Sequence, residues 1–209
     1  AMIQSTEASN RIEGIRTSDK RLRDIMLDST DLKSRDEEEI AGYRDVLNTV
    51  HRSYEFIDVK PGVILQLHRD MYRYTASSMG GHYKIGDNEM RGVRSDGTEY
   101  VRSRTMPAVS TATAMDELCE ALDRGLASGI CDPLLISMMF VFDFTCVHPF
   151  NDGNGRLSRL LTLLLLYKAG YLVGRYISIE KEIERTKGAY YDALAASSTG
   201  WNEGMNDPG

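Results

Sequence analysis

The sequence predicts an all-α helical bundle that carries one short β-hairpin. Three observations support this. Apolar residues recur at spacings of three and four along most of the chain, two segments are apolar on nearly every side, and only one stretch has a hairpin signature. The length of 209 residues suits one compact domain, so residues 1–209 are read as a single folding unit. No repeat, low-complexity tract or Pro/Gly/Ser-rich linker divides it.

Each element has its own warrant. From Glu37 to Ile57 the residues Ile40, Tyr43, Val46, Leu47, Val50, Tyr54 and Ile57 share one helix face. A second helix starts near Pro61 and carries Ile64, Leu67 and Met71. A third starts at Thr113, which with Asp116 resembles a capping box, and turns Met115, Leu118, Leu122 and Leu126 inward. Pro133 opens PLLISMMFVFDFTCV, expected in the middle of the fold. Leu157 to Ala169 reads the same way and stops at Gly170. A last helix runs from about Glu180 to Ala196. Between Met90 and Arg104 the string SDGT, Ser95 to Thr98, turns a hairpin flanked by Val93, Tyr100 and Val101. Such a hairpin is too short and polar to be a core element, so it is an edge flap or a loose loop.

Composition excludes several function classes. Net charge is −6, from 25 Lys+Arg against 31 Asp+Glu, so no global basic field recruits nucleic acid or an anionic membrane. The longest strongly apolar stretch, Leu160 to Tyr167, falls far short of the ~20 residues that span a bilayer, and no basic-then-apolar leader opens the sequence. Cys119, Cys131 and Cys146 form an odd set without a CxxC pair, which favours reduced thiols and a cytoplasmic location.

The chemistry concentrates in HPFNDGNGRLSRLL, His148 to Leu161. Pro149 is expected to push His148 toward extended backbone, ending one helix and turning the imidazole into the loop. Phe150 anchors the loop. Gly153 and Gly155 let successive N–H groups point one way into a helix start whose first N–H groups lack internal partners, which makes an anion cradle. Arg156 and Arg159, in the first turns, are expected to reach back toward whatever binds there. Asp152 beside the cradle is the kind of carboxylate that holds magnesium to phosphate oxygens, and His148 is the one side chain there that titrates near neutrality. Taken singly, each feature reads as a turn, a cap or a solvated charge; the joint order is what carries information.

That order resembles the signature of the Fic family, HPFx(D/E)GN(G/K)R, at every position, with a second arginine at Arg159. The resemblance implies a Fic-type bundle and an AMP transferase that uses ATP, with Mg2+, on a Ser, Thr or Tyr hydroxyl of a target protein. Carried over, His148 deprotonates the hydroxyl and Asp152 holds the metal. Gly153, Asn154 and Gly155 bind phosphate, and Arg156 and Arg159 grip the triphosphate. Relatives that transfer a phosphoryl group have lysine where this chain has Gly155, so glycine implies nucleotidyl transfer.

Three further features follow from the same resemblance. The hairpin, residues 90–104, takes the place of a flap that holds a target segment by strand addition; an ordinary surface hairpin is the alternative. SNRIEG, Ser9 to Gly14, matches the inhibitory pattern (S/T)xxxE(G/N), making residues 1–16 an inhibitory segment whose Glu13 competes with the γ-phosphate for Arg159. A surface glutamate at the end of a helix is the bland alternative. Tyr190 and Tyr191 resemble the pair that flanks adenine, with Tyr191 the preferred contact and aromatic core packing the competing reading. Self-modification and removal of AMP at the same site are left open. The rival readings are a nucleotide-binding interaction module with little turnover, and a regulator of DNA or of an antitoxin-type partner, which the acidic balance argues against.

Overall fold

The computed structural model describes residues 1–76, 80–93, 98–198, 200–202 and 205–206, with backbone only at 90–93, 99–100, 102–103, 202 and 205–206. Among these residues the helices run α1 (Met2–Ile12), α2 (Asp19–Met26), α3 (Arg35–Ser53), α4 (Pro61–Met71), α5 (Thr111–Ser128), α6 (Pro133–Val147), α7 (Asn154–Lys168), α8 (Ile179–Arg185) and α9 (Lys187–Ser197). The strands β1 (Glu89–Val93) and β2 (Glu99–Arg104) pair antiparallel between α4 and α5. A two-residue ribbon, β3 (Trp201–Asn202) with β4 (Met205–Asn206), lies near the C-terminus. No described helix is long and apolar enough to cross a membrane.

The core is organised around α7. Leu157, Leu160, Leu161 and Leu164 have no exposed surface, and they meet Tyr43 and Leu47 of α3, Phe144 of α6 and Phe150 of the α6–α7 loop. α6 packs between α5 and α7, and α3 packs on α4, α7 and α1. Pro133 occupies the first turn of α6, where its missing N–H costs nothing, and the Asp132 carboxylate accepts the Leu134 N–H at 2.7 Å. α3 begins at Arg35, two residues before the expected start, because Ser34 caps it by accepting the Glu37 N–H.

Several expectations need correction. α5 starts at Thr111, not Thr113, and its cap Ser110 makes no side-chain cap bond, so the capping box does not form. Instead the Thr111 hydroxyl donates to the Pro107 carbonyl within the preceding turn. Leu126 remains 38% exposed, and Leu135 and Met139 of α6 stay open to solvent, so neither helix is covered on every side. The last helix is two, broken at Thr186. α2 is an additional helix: Leu22 and Ile25 pack on Ile40 and Ala41 of α3, and the Arg21 guanidinium donates to both oxygens of the buried Glu37 on α3. The hairpin pairs as expected, with an irregularity between Met90 and Arg91, but residues 95–97 of its turn lie outside the described residues.

Since α7 supplies both the core and the loop that precedes it, shortening a core side chain there should cost the whole domain. Leu160→Ala is expected to lower stability by about 2–5 kcal/mol, read as a lower urea midpoint with unchanged slope.

Candidate active site

The loop between α6 and α7 is set by two residues in left-handed backbone. His148, with φ 52° and ψ 60°, ends α6, and its N–H still donates to the Phe144 carbonyl at 3.0 Å. This corrects the expected extended conformation. Pro149 disfavours right-handed helix at His148, and the left-handed alternative closes the helix as a cap while turning the imidazole toward the start of α7. Gly153, at φ 81°, is the second such residue. A Cβ there would meet Met71 Cε at 2.7 Å and the Tyr72 hydroxyl at 2.9 Å, so glycine is needed for both conformation and space.

Inside the loop, the Asn154 side chain is spent on structure. Its Oδ1 accepts the Phe150 N–H at 3.0 Å and its Nδ2 donates to the Phe150 carbonyl at 2.7 Å. What Asn154 leaves free for a ligand is its backbone N–H, which with those of Gly155 and Arg156 lacks an intrahelical partner at the start of α7. Phe150 is fully buried and stacks on His68 at 3.7 Å between ring centroids. His68 was not singled out from the sequence. Its Nδ1 accepts the Gly81 N–H at 3.0 Å, so its proton sits on Nε2 and donates to the Asp152 carbonyl at 3.0 Å. Burial pushes this imidazole down to about 4, which keeps it neutral in that role.

A cavity of about 160 Å³ opens at this helix start, lined by Glu13, Thr145, His148, Asn154, Gly155, Ser158, Arg159, Tyr190, Tyr191 and Leu194. The Arg159 guanidinium, 3% exposed, donates to Ser9 Oγ at 2.8 Å, to the Ser9 carbonyl at 2.9 Å and to Glu13 Oε1 at 2.8 Å. A Cβ on Gly155 would lie 2.4 Å from Glu13 Oε1, so the carboxylate sits directly over the missing side chain. An anion from α1 thus already fills the cradle. His148 faces the same cavity. Burial is the main cause that lowers its imidazole below the ordinary value, with the Lys84 ammonium adding to it and the Thr145 carbonyl, a 3.4 Å contact of Nδ1, opposing. A carbonyl only accepts, so Nδ1 carries the proton and Nε2 presents its lone pair.

The other expected residues are distributed around this cavity. Tyr190 and Tyr191 both line it, their rings edge-on at 5.5 Å. Asp152 is half-exposed, accepts the Gly153 N–H at 2.7 Å, and lies 3.8 Å from Arg35 and 3.9 Å from Arg156. Arg156 turns toward α3 and Tyr72, away from the partners of Arg159. It is 1% exposed, donates to the Tyr72 hydroxyl at 2.7 Å and pairs with Glu39 at 2.7 Å, and it does not line the cavity. Its Nε and Nη1 are buried without a hydrogen-bond partner among the described residues. Glu39 escaped sequence reading because it closes a run of three glutamates, which reads as a solvated face. Among the described residues, no group of three or more His, Cys, Asp or Glu forms a protein metal cage.

The fold is thus a helical bundle in which the start of α7 holds a carboxylate beside an imidazole. The model of the Fic/DOC family matches residues 58–166, and the chain belongs to that family. It is 30% identical over 207 residues to the protein adenylyltransferase Fic of Aedes aegypti and 29% identical to that of Culex quinquefasciatus. Both matches cover 96% of this chain but 38% of the relative, so the chain spans well under half the length of these proteins. In fold it is similar to a Fic family protein from Desulfovibrio desulfuricans (TM-score 0.77, 22% identity, covering 97% of this chain and 58% of that one). It is also similar to a Fic domain containing signaling protein from Bacteroides thetaiotaomicron (TM-score 0.77, 20% identity, 95% and 72% covered).

Two outcomes check this geometry. The His148 imidazole should titrate below the ordinary ~6.5 in an NMR pH titration, so that it is neutral at pH 7. Gly155→Ala should displace the Glu13 carboxylate and speed amide exchange in α1, and the same substitution added to Glu13→Gly should speed it no further.

Proposed function

We propose that the chain transfers AMP from ATP to a hydroxyl side chain of a protein target, and that Glu13 restrains this activity in the state described above. The observation that carries the reading is the Glu13 carboxylate held on Arg159 over Gly155, in one cavity with His148. An anion-binding cradle filled by the chain's own carboxylate is what self-restraint requires: Arg159 pairs with a carboxylate or a phosphate in the same fork, so the two compete.

In this reading the triphosphate lies along the start of α7. Backbone N–H groups of Asn154 and Gly155 donate to phosphate oxygens, Gly153 supplies the turn, and Arg159, released from Glu13, takes the terminal phosphate. Arg156 contributes its charge from beneath and fixes the Asp152 side of the loop through Tyr72 and Glu39. His148 Nε2 accepts the proton of the attacking hydroxyl, the oxygen bonds to the α-phosphorus, and pyrophosphate leaves. Tyr190 and Tyr191 wall the adenine end, with Tyr191 the preferred stacking partner. The exposed carboxylate of Asp152 fits a Mg2+ ion shared with phosphate oxygens, since magnesium usually takes one or two carboxylates and keeps its other positions for phosphate and water. When bound, that ion neutralises charge on the phosphates. The hairpin 90–104 serves as the flap on which a target segment adds as a strand. The same site acts on the chain itself only where a hydroxyl reaches His148, and AMP removal at it would involve Glu13. The odd cysteine set supports a reducing, cytoplasmic setting for the activity.

The test uses α-labelled ATP with magnesium and a cell lysate. Glu13→Gly should increase label incorporation, and His148→Ala in that background should reduce it by ~10²–10⁴-fold or more while nucleotide still binds. Nucleotide binding by Glu13→Gly without incorporation would instead mark a binding module. The acid limb should rise with pH as the imidazolium loses its proton and be complete by neutral pH, because the base works only in its neutral form.

A further inference from the structure

The hairpin root and the histidine loop meet at one buried cation. Lys84 is 3% exposed, and its three ammonium protons face three acceptors: the Val147 carbonyl at 3.1 Å, Thr105 Oγ1 at 2.8 Å and Asn88 Oδ1 at 2.9 Å. Val147 is the last residue of α6, immediately before His148. Asn88 immediately precedes β1, and Thr105 immediately follows β2. The backbone adds to the same seam: the Lys84 N–H donates to the Pro149 carbonyl at 2.9 Å, and Asn88 Nδ2 donates to the Phe150 carbonyl at 3.2 Å. The carbonyls of Val147, Pro149 and Phe150, on both sides of His148, are therefore held by two residues of the hairpin root.

A buried ammonium is costly unless fully satisfied, and a plain structural tie needs no charge. Here the cation sits at the carbonyl end of α6, where the helix dipole favours it, and beside the imidazole, which it helps to keep neutral. The charged groups that face it are Asp87 from its own loop and His148 from the α6 end; Asn88 and Thr105 are uncharged. We propose that Lys84 is a positioning residue whose ammonium fixes the backbone of His148 and the root of the hairpin in one frame, so that base and docked hydroxyl keep a constant separation. Its effect on rate rests on the AMP-transfer reading, whereas its effect on His148 rests on geometry alone. Burial pushes Lys84 down to about 8, so its positioning charge is complete below that pH and is lost above it. The neutral amine has two protons for three acceptors, and one tie is released.

Lys84→Met and Lys84→Arg, each in the Glu13→Gly chain, separate charge from packing. Lys84→Met should raise the His148 titration midpoint in an NMR pH titration and lower AMP incorporation roughly tenfold or more. Lys84→Arg should leave the midpoint near that of the Glu13→Gly parent and retain most of the incorporation. Above about pH 8 the parent should lose rate while Lys84→Arg keeps it, because guanidinium does not titrate there. Equal losses in both variants, or a Lys84→Met chain with unchanged midpoint and incorporation, would overturn the proposal. If Lys84→Met does not fold by circular dichroism, the alkaline limb decides: its disappearance in Lys84→Arg supports the role and its persistence refutes it. If the Glu13→Gly parent transfers no label, the AMP-transfer reading fails, and the His148 midpoints of the variants still decide the Lys84 assignment.

Discussion

The arrangement depends on Arg159 and on what it holds. Its guanidinium is almost wholly removed from water, and three of its donors go to α1: the Ser9 hydroxyl, the Ser9 carbonyl and the Glu13 carboxylate. A buried guanidinium without acceptors is strongly unfavourable, so something anionic or strongly polar must always occupy this place. In the structure that occupant is the chain's own first helix. The same requirement makes phosphate a fit replacement, so under the proposed function one residue would serve both the restrained and the working state.

α1 is well suited to be a removable occupant. Its buried face consists of Ser5, Thr6, Ala8, Ser9, Asn10 and Ile12, mostly small and polar, so little apolar area is gained when it docks. Polar links take over. Ser5 Oγ donates to Ser178 Oγ at 3.0 Å, Ser178 donates to the buried Glu180, and Glu180 accepts the Tyr43 hydroxyl at 3.2 Å. The hydroxyl of Thr6 and Oδ1 of Asn10 are buried without a hydrogen-bond partner among the described residues, which reduces the net gain from docking. α7, by contrast, is held by leucines on nearly every side. The site is therefore rigid beneath and loosely fastened above.

Much of this was legible in the sequence. The apolar stripe of α3, the near-continuous apolar runs of α6 and α7, and the glycines between them are local signals, and the structure has each. The ordered string from His148 to Arg159 located the loop because its residue types have few other reasons to occur together. What escaped were contacts made across the fold. Arg156 and Arg159 are three residues apart and read alike, yet one faces α3 and the other the cavity, and only the packing of α3 and α1 decides between them. Buried polar residues with distant partners, such as His68, Lys84, Glu39 and Glu180, have no local signature, since each is ordinary until the group it satisfies is known. Left-handed backbone at His148 was missed because proline restricts its neighbour without choosing between the remaining conformations.

The break at Thr186 has a consequence for how the two ends of the chain relate. α9 begins with Lys187, whose ammonium donates to the Ile12 carbonyl at 3.0 Å, and Arg11 pairs with Glu184 of α8 at 3.3 Å. The same short helix supplies Tyr190, Tyr191 and Leu194 to the cavity wall. One segment is thus both a hasp for the first helix and a door-jamb for the chamber. The break at Thr186 lets α8 set Glu184 against Arg11 while α9 takes its own course along the cavity wall.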